Sequence, residues 1–248
     1  MSEAPAAAPG TAPSSGVSVS APGRVIGTFF SPVPTFQSIA ARPGFILPMA
    51  LWIAASLLVS AFMLPRMDYE GMIRSRLEKS GQALSEDRIQ AQVAIQKRIA
   101  PKITLAIGAL APVLITLLVT LVFWASFKAF GWDFTFRQGV GATAHAFLPG
   151  VLGALILVPV LSSKDLIDPQ NMSDLLRSNL GFLVDRKASP ALHSLSGSLD
   201  LFAIWTMVLL AIGYAAAARV SRKAAGGIIV TIWALYVLGK AGLAALFS

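Results

Sequence analysis

FILPMALWIAASLLVSAFML, residues 45–64, carries no charged side chain over 20 positions and is closed by Pro65 and Arg66. A helix rises 1.5 Å per residue, so about 20 apolar residues cross the roughly 30 Å hydrocarbon core of a bilayer. The stretch therefore reads as a transmembrane helix. Ser56 and Ser60, four apart, give it one small-residue face for a neighbouring helix.

Working outward, four more apolar blocks of spanning length follow at about 103–127, 139–161, 201–218 and 224–247. The expected fold is all-α: a polytopic membrane helical bundle of about five transmembrane helices with short amphipathic interfacial helices. Pro112 in the second span, and Pro149 and Pro159 in the third, read as helix kinks, which membrane helices tolerate where neighbours satisfy the freed carbonyls. In the third span Gly150 and Ala154, and Ala142 and Ala146, are four apart and would let another helix approach closely.

Composition agrees: 55% of the 248 residues are hydrophobic and 13% charged, against roughly 25% charged in ordinary soluble domains. The formal net charge of +8 does not point to nucleic acid. The cations border apolar blocks, where lipid head groups attract them, and no basic run is interleaved with stacking aromatics. With no cysteine, disulfides and thiolate sites are excluded. His145 and His193 form no clustered ligand pattern, so no metal or other cofactor is expected.

Residues 1–23, rich in Ala, Pro, Ser and Gly, read as a disordered tail. Residues 24–44 read as an interfacial segment leading into the first span. In it a short helix opens near Thr35, Phe36, Ile39 and Ala40 share one face, and Arg42 reaches head groups. The membrane domain is then 45–248. Its loop 65–102 holds two amphipathic patterns: one capped by Asp68 and ended by Gly81, the other opening after Ser85 and ended by Pro101. They read either as a solvated hairpin covering the bundle or as helices docked on the membrane surface. Phe123, Trp124, Phe127, Phe130, Trp132, Phe134 and Phe136 crowd the exit of the second span like an aromatic belt at an interface. In the long loop after the third span, Ser173 and Asp174 start a short helix through Leu175 and Leu176.

Two ionisable residues fall within the spans, His145 and Lys240. Intramembrane ionisable groups are functional candidates by default. Here His145 reads as a packing hydrogen bond to a carbonyl freed near Pro149, and Lys240 as a side chain that snorkels near the C-terminus. The fourth and fifth spans are joined by a five-residue loop holding Arg219, Arg222 and Lys223, which set orientation. No GxSxG, paired intramembrane carboxylates or phosphate loop is present, so the chain is not expected to be an enzyme.

FFSPVPTFQSIAARPGFILP, residues 29–48, FTFRQGVGATAHAFLP, residues 134–149, and SLDLFAIWTMVLLAIGYAAAARVSRKAA, residues 198–225, occur in that order. Together with the short basic loop they resemble the bacterial branch of the Yip family, five-span Ypt/Rab-interacting membrane proteins. The resemblance covers most of residues 28–240. It implies a cytoplasmic N-terminus and partners that are small GTPases or other family members. This chain has PKITLAIGALAP where eukaryotic members carry an acidic Asp-Leu-x-Gly-Pro element.

Seven basic residues would then lie in the inner segments, against eight in 65–102 and four in 162–200 outside. The raw count thus opposes the implied orientation, and the resemblance carries the choice of a cytoplasmic N-terminus in a bacterial inner membrane. The function expected is non-enzymatic: organising or assembling membrane components through a membrane-protein partner or self-association within the lipid bilayer. A small transporter or channel is the alternative.

Overall fold

The computed structural model describes residues 20–167, 175–185 and 188–246. In chain order its α-helices are α1 (Ala21–Phe30), α2 (Pro32–Ala41), α3 (Ile46–Met63), α4 (Tyr69–Ser80), α5 (Glu86–Ala129), α6 (Phe136–Ala146), α7 (Leu148–Ser162), α8 (Pro190–Ser198), α9 (Leu201–Ala218) and α10 (Arg222–Leu246). Among the described residues five segments are long and apolar enough to cross a membrane: Ile46–Arg66, Glu86–Ala129, Phe136–Ser162, Leu201–Ala218 and Arg222–Leu246. The all-α, five-span bundle read from the apolar blocks is the fold observed.

The segment before the first span differs from its reading. Residues 21–23, assigned to the tail, form the first turn of α1, where the Ser20 hydroxyl accepts from the Gly23 amide at 3.2 Å. Pro32 and Pro34 then open α2 rather than interrupting it, because first-turn amides have no intrahelical acceptor to lose. The two helices double back on each other: Arg24 Nη1 donates to the Arg42 carbonyl at 2.7 Å, and Gly27 lies against Thr35. Phe36 and Ile39, each 1% exposed, are buried in protein and not laid on lipid. At the tip Phe29 meets Trp205 edge-on, ring centroids 5.5 Å apart, and Trp205 is only four residues from the start of α9. The hairpin therefore runs along the bundle from the end that holds the α9–α10 turn, with the Phe36 and Ile39 face turned inward.

Helix boundaries moved for identifiable reasons. Pro101 does not end a helix; α5 runs unbroken through Pro101 and Pro112 for 44 residues. The amide that Pro101 lacks would have served Lys97, an exposed residue whose carbonyl water can reach. At 1.5 Å per residue α5 is about 66 Å long, roughly twice the bilayer core. The third span opens at Phe136, since Thr135 and Gln138 cap it reciprocally, and it breaks at Phe147. Pro149 sits in the first turn of α7 and offers no amide to the carbonyl of His145, so it accompanies a break rather than an internal kink. Pro159, like Pro112, lies within its helix. Ser221 accepts from the Ala224 amide at 3.1 Å, which starts α10 at Arg222 and shortens the last turn to residues 219–221. The tail 1–19, the helix start at Ser173 and Asp174, and Phe247 lie outside the described residues.

Asp68 and Gly81 bound α4 as read, with Gly81 in the left-handed region at φ 65°. The pair of helices does not cover the bundle. Tyr69 and Ile73 of α4 pack with Ile89 and Val93 of α5 as a separate small core, so α4 braces the first half of α5. Arg74 joins them, 2.8 Å from Glu70 and 2.7 Å from Glu86. At the same end Ile167 pairs with the backbone around Met67, tying the loop after the third span to the root of the hairpin.

Hydrogen bonds from Arg74, and then from Gln90, hold the Glu70 carboxyl below the usual carboxylate range. A depressed carboxylate stabilises the fold above its unfolded pKa, about 4.3, and loses that contribution as pH falls through the folded value. Acidification from pH 6 to pH 3 should therefore raise amide exchange in residues 69–80, after correction for intrinsic rate, while leaving residues 120–127 unchanged. Exchange in 69–80 that does not respond to pH overturns this account of the hairpin.

Candidate functional site

The three stretches that carry the family resemblance meet in space. Gly213 of α9 is the notch: a Cβ there would lie 2.9 Å from the Phe36 ring of α2 and 3.1 Å from the Ala142 Cβ of α6. Gln138, in the first turn of α6, donates through Nε2 to the Ala40 carbonyl at the end of α2 at 2.8 Å. One turn on, Gly141 admits Ile39, whose Cγ2 would be 3.0 Å from a Cβ on that glycine.

Beneath the notch runs a chain of hydroxyls. Thr120 of α5 donates to Thr143 of α6 at 3.0 Å, and Thr143 shares a 2.8 Å hydrogen bond with the phenol of Tyr214 on α9. All three residues are fully buried. Phe123, Phe127 and Phe134 surround Tyr214, with ring centroids 5.2, 5.3 and 5.5 Å away. Much of the expected aromatic belt is thus bundle core, because α5 turns these rings toward α9. Phe130 and Phe136 remain exposed, and Trp124 is tied down by a 3.1 Å bond from Nε1 to the Phe134 carbonyl.

His145 is buried two residues beyond Thr143, but it is not joined to the hydroxyl chain. Its Nδ1 lies 2.9 Å from the carbonyl of Gly141, one turn back in its own helix, so Nδ1 carries the proton. The acceptor is not a carbonyl freed by Pro149. The ammonium of Lys240, an exposed residue, donates to the Ser198 hydroxyl at 3.1 Å, and Ser198 donates to the Ser194 carbonyl, pinning α10 to α8. Arg219 ends α9 in the left-handed region at φ 57°, while Arg222 and Lys223 are exposed in the first turn of α10.

The small-residue pairs divide. Ser56 and Ser60 face Gly108 of α5, where a Cβ would stand 3.4 and 3.3 Å from their hydroxyls. Ala142 and Ala146 are core. Gly150 has open space beside it, and the close approach in α7 is instead at Gly153, against the Phe202 ring. The sequence reading passed over Gly213, Gln138 and Tyr214. A Thr-x-x-Gln capping pattern marked Gln138, and a lone glycine in an apolar helix marked Gly213; Tyr214 gave no signal beyond its hydroxyl in a span.

Chemically the chain of hydroxyls is neutral, and each member is both donor and acceptor. Among the described residues no histidine or carboxylate is hydrogen-bonded to it, and no three His, Asp or Glu side chains group to hold a metal. It joins α5, α6 and α9 where neither water nor lipid can satisfy a polar atom.

Five apolar helices, packed through glycine notches and buried hydroxyls, define a multi-pass integral membrane protein in contact with the lipid bilayer. A family model for the Yip1 domain matches residues 26–243, and the chain belongs to that family. It is 26% identical over 201 residues, 81% of this chain and 80% of the relative, to the protein named "Membrane protein YknW" of Bacillus subtilis (strain 168). No solved structure matches it.

Thr143→Val keeps the shape but leaves the hydroxyls of Thr120 and Tyr214 facing a methyl. It should cost about 1–2 kcal/mol of stability, with Thr143→Ser close to the parent, in unfolding titrations of the detergent-solubilised protein. Equal stability of the valine variant and the parent would show that the chain holds nothing together.

Proposed function

We propose that the chain is a non-enzymatic member of its family that organises or assembles other membrane components by binding a membrane-protein partner or a second copy of itself. The observation that carries this is the arm made by α4 and the first half of α5. Some 17 residues of α5 precede the apolar run, about 25 Å at helical rise, and they continue a transmembrane helix without a joint. A small core and the Arg74–Glu86 ion pair brace them against α4. Such an arm presents charged side chains, Arg88 and Lys97 among them, at a fixed height and bearing, which suits recognition of another protein rather than turnover of a substrate.

We place the chain in a bacterial inner membrane with its N-terminus in the cytoplasm. The support is the family and the Bacillus relative, against a raw count of basic residues that leans the other way. In that orientation the arm projects outward, and the α1–α2 hairpin enters from the cytoplasmic end. The departure from the eukaryotic acidic element leaves small GTPases without support as partners.

A second reading, a small transporter, draws on the break at Phe147 and on the α1–α2 hairpin packed against the bundle, since discontinuous helices at membrane depth often line a path.

Crosslinking and affinity capture from native membranes test the first reading. The parent should return the same one or few proteins in independent captures, and Arg88→Glu/Lys97→Glu should lose them several-fold while keeping the parent's thermal stability. Capture with no reproducible protein counts against it. His145→Ala separates the readings: it should lower stability and leave capture intact, because the ring bonds only to its own helix. A His145→Ala protein as stable as the parent that has lost a measurable transport activity favours the transporter.

A further inference from the structure

One feature of the membrane-facing surface takes no part in the packing described above: a trench of ≈ 1070 Å³ between α2, α9 and α10. Its floor is the outer face of α9 from Ile204 to Ala216, one wall is Val33 and Gln37 of α2, and the other is Gly226 and Val230 of α10. At one end stand Ser221, Arg222 and Lys223. The volume is at the upper end of small-molecule sites, about 300–1,000 Å³.

We infer that this trench binds one anionic phospholipid, with its acyl chains laid along α9 and its phosphate held by Arg222 and Lys223. The inference goes beyond the proposed assembly role and does not depend on it.

Two observations fix the chemistry of the occupant. First, the trench lies between two helices of spanning length, and its walls are almost wholly apolar. From Ile204 to Ala216 it follows α9 for about 18 Å, more than the roughly 15 Å depth of one leaflet. A hydrocarbon chain satisfies such walls; a soluble ligand has no route to them except through lipid.

Second, the charges at the mouth are unbalanced. Arg222 and Lys223 occupy the first turn of a 25-residue helix that has no acidic residue there. The positive end of the helix dipole disfavours cations at that place. Among the described residues neither cation is in an ion pair, nor is neighbouring Arg219. A phosphate at the mouth relieves this repulsion, and an apolar trench ending in unpaired cations is complementary to a lipid whose head is anionic. Zwitterionic lipid of the same chain length fits the trench but answers the charge less well.

Gly226 supplies the test. A Cβ there meets only the Ala211 Cβ, at 3.8 Å, so a larger side chain enters the trench without displacing backbone. Native mass spectrometry of the full chain in mild detergent is run with palmitoyl-oleoyl phosphatidylglycerol and with the matching phosphatidylcholine. One phosphatidylglycerol should be retained, at least tenfold more tightly than phosphatidylcholine, since each cation near an anionic head group is worth about fivefold. Arg222→Gln/Lys223→Gln should bring the two lipids within about twofold of each other, and Gly226→Leu should weaken both alike. Where Gly226→Leu does not purify as a single species, Val230→Trp on the open wall serves as the block.

Phosphatidylglycerol held as tightly by Arg222→Gln/Lys223→Gln as by the parent overturns the inference. So does its displacement by glycerophosphoglycerol, which carries the same head group without chains and would reveal a simple anion site. A dimer that forms in the parent and is lost on blocking the trench would assign the groove to a second copy, and equally removes the lipid.

Discussion

The notch at Gly213 is the contact on which the rest of the bundle depends. Phe36 is a large ring, almost fully buried, and it sits there only because α9 offers no side chain at that position. Removing the Cβ lets α2 lie against α9 and α6 at once, and that seats the whole α1–α2 hairpin among the spans. Inside a bilayer the hydrophobic effect does not distinguish a ring against lipid from a ring against protein. What favours the packed state is close van der Waals contact and the satisfaction of polar atoms, and both are concentrated here. The Gln138 bond to the Ala40 carbonyl and the Thr120, Thr143 and Tyr214 chain lie around the same notch.

The polar atoms elsewhere in the apolar layers follow one habit. Thr28, Thr35, Ser60 and Thr116 each donate to the carbonyl one turn back, on Arg24, Ser31, Ser56 and Pro112, and His145 does the same to Gly141. Satisfaction within a single helix carries no information about neighbours, so these residues permit membrane burial without choosing partners. The Thr120, Thr143 and Tyr214 chain instead crosses between helices, so it, and not His145, ties three spans together.

Fold class and number of spans were legible because a bilayer demands uninterrupted apolar length, which Phe45 to Leu64 displays without ambiguity. Detail was lost wherever one composition serves two environments. Phe123, Phe127 and Phe134 look like interface aromatics by position, yet a helix carries side chains on every side, and nothing in the sequence says which side faces α9. Gly150 and Gly153 are three apart in the same helix, and only the orientation of α7 decides that Phe202 meets the second. In sequence Pro101 reads as a stop and Pro149 as a kink, although the same missing amide has opposite outcomes. At Pro101 the orphaned carbonyl belongs to an exposed turn, whereas at Pro149 a break inside the bundle resolves it. The Thr135 and Gln138 capping box, by contrast, was readable and marks the residue that holds α2 in place.

The two ends of the bundle are built for different loads. At one end the α4–α5 arm is joined to the membrane by an unbroken helix and to the loop after the third span by the Met67 and Ile167 pairing, so a force on the arm passes directly into α5 and α7. At the other end the connections are short, residues 130–135 and 219–221, and α2 closes against them. Both ends are coupled through α5, whose outer half is the arm and whose inner half carries Thr120 and the aromatic wall around Tyr214. Rotation of the arm about the axis of α5 would have to turn Thr120 away from Thr143 and Phe123 away from Tyr214. The packing of Thr120 and Phe123 against Thr143 and Tyr214 thus sets the bearing of the arm, a relation between a buried core and a distant surface that follows from helix continuity.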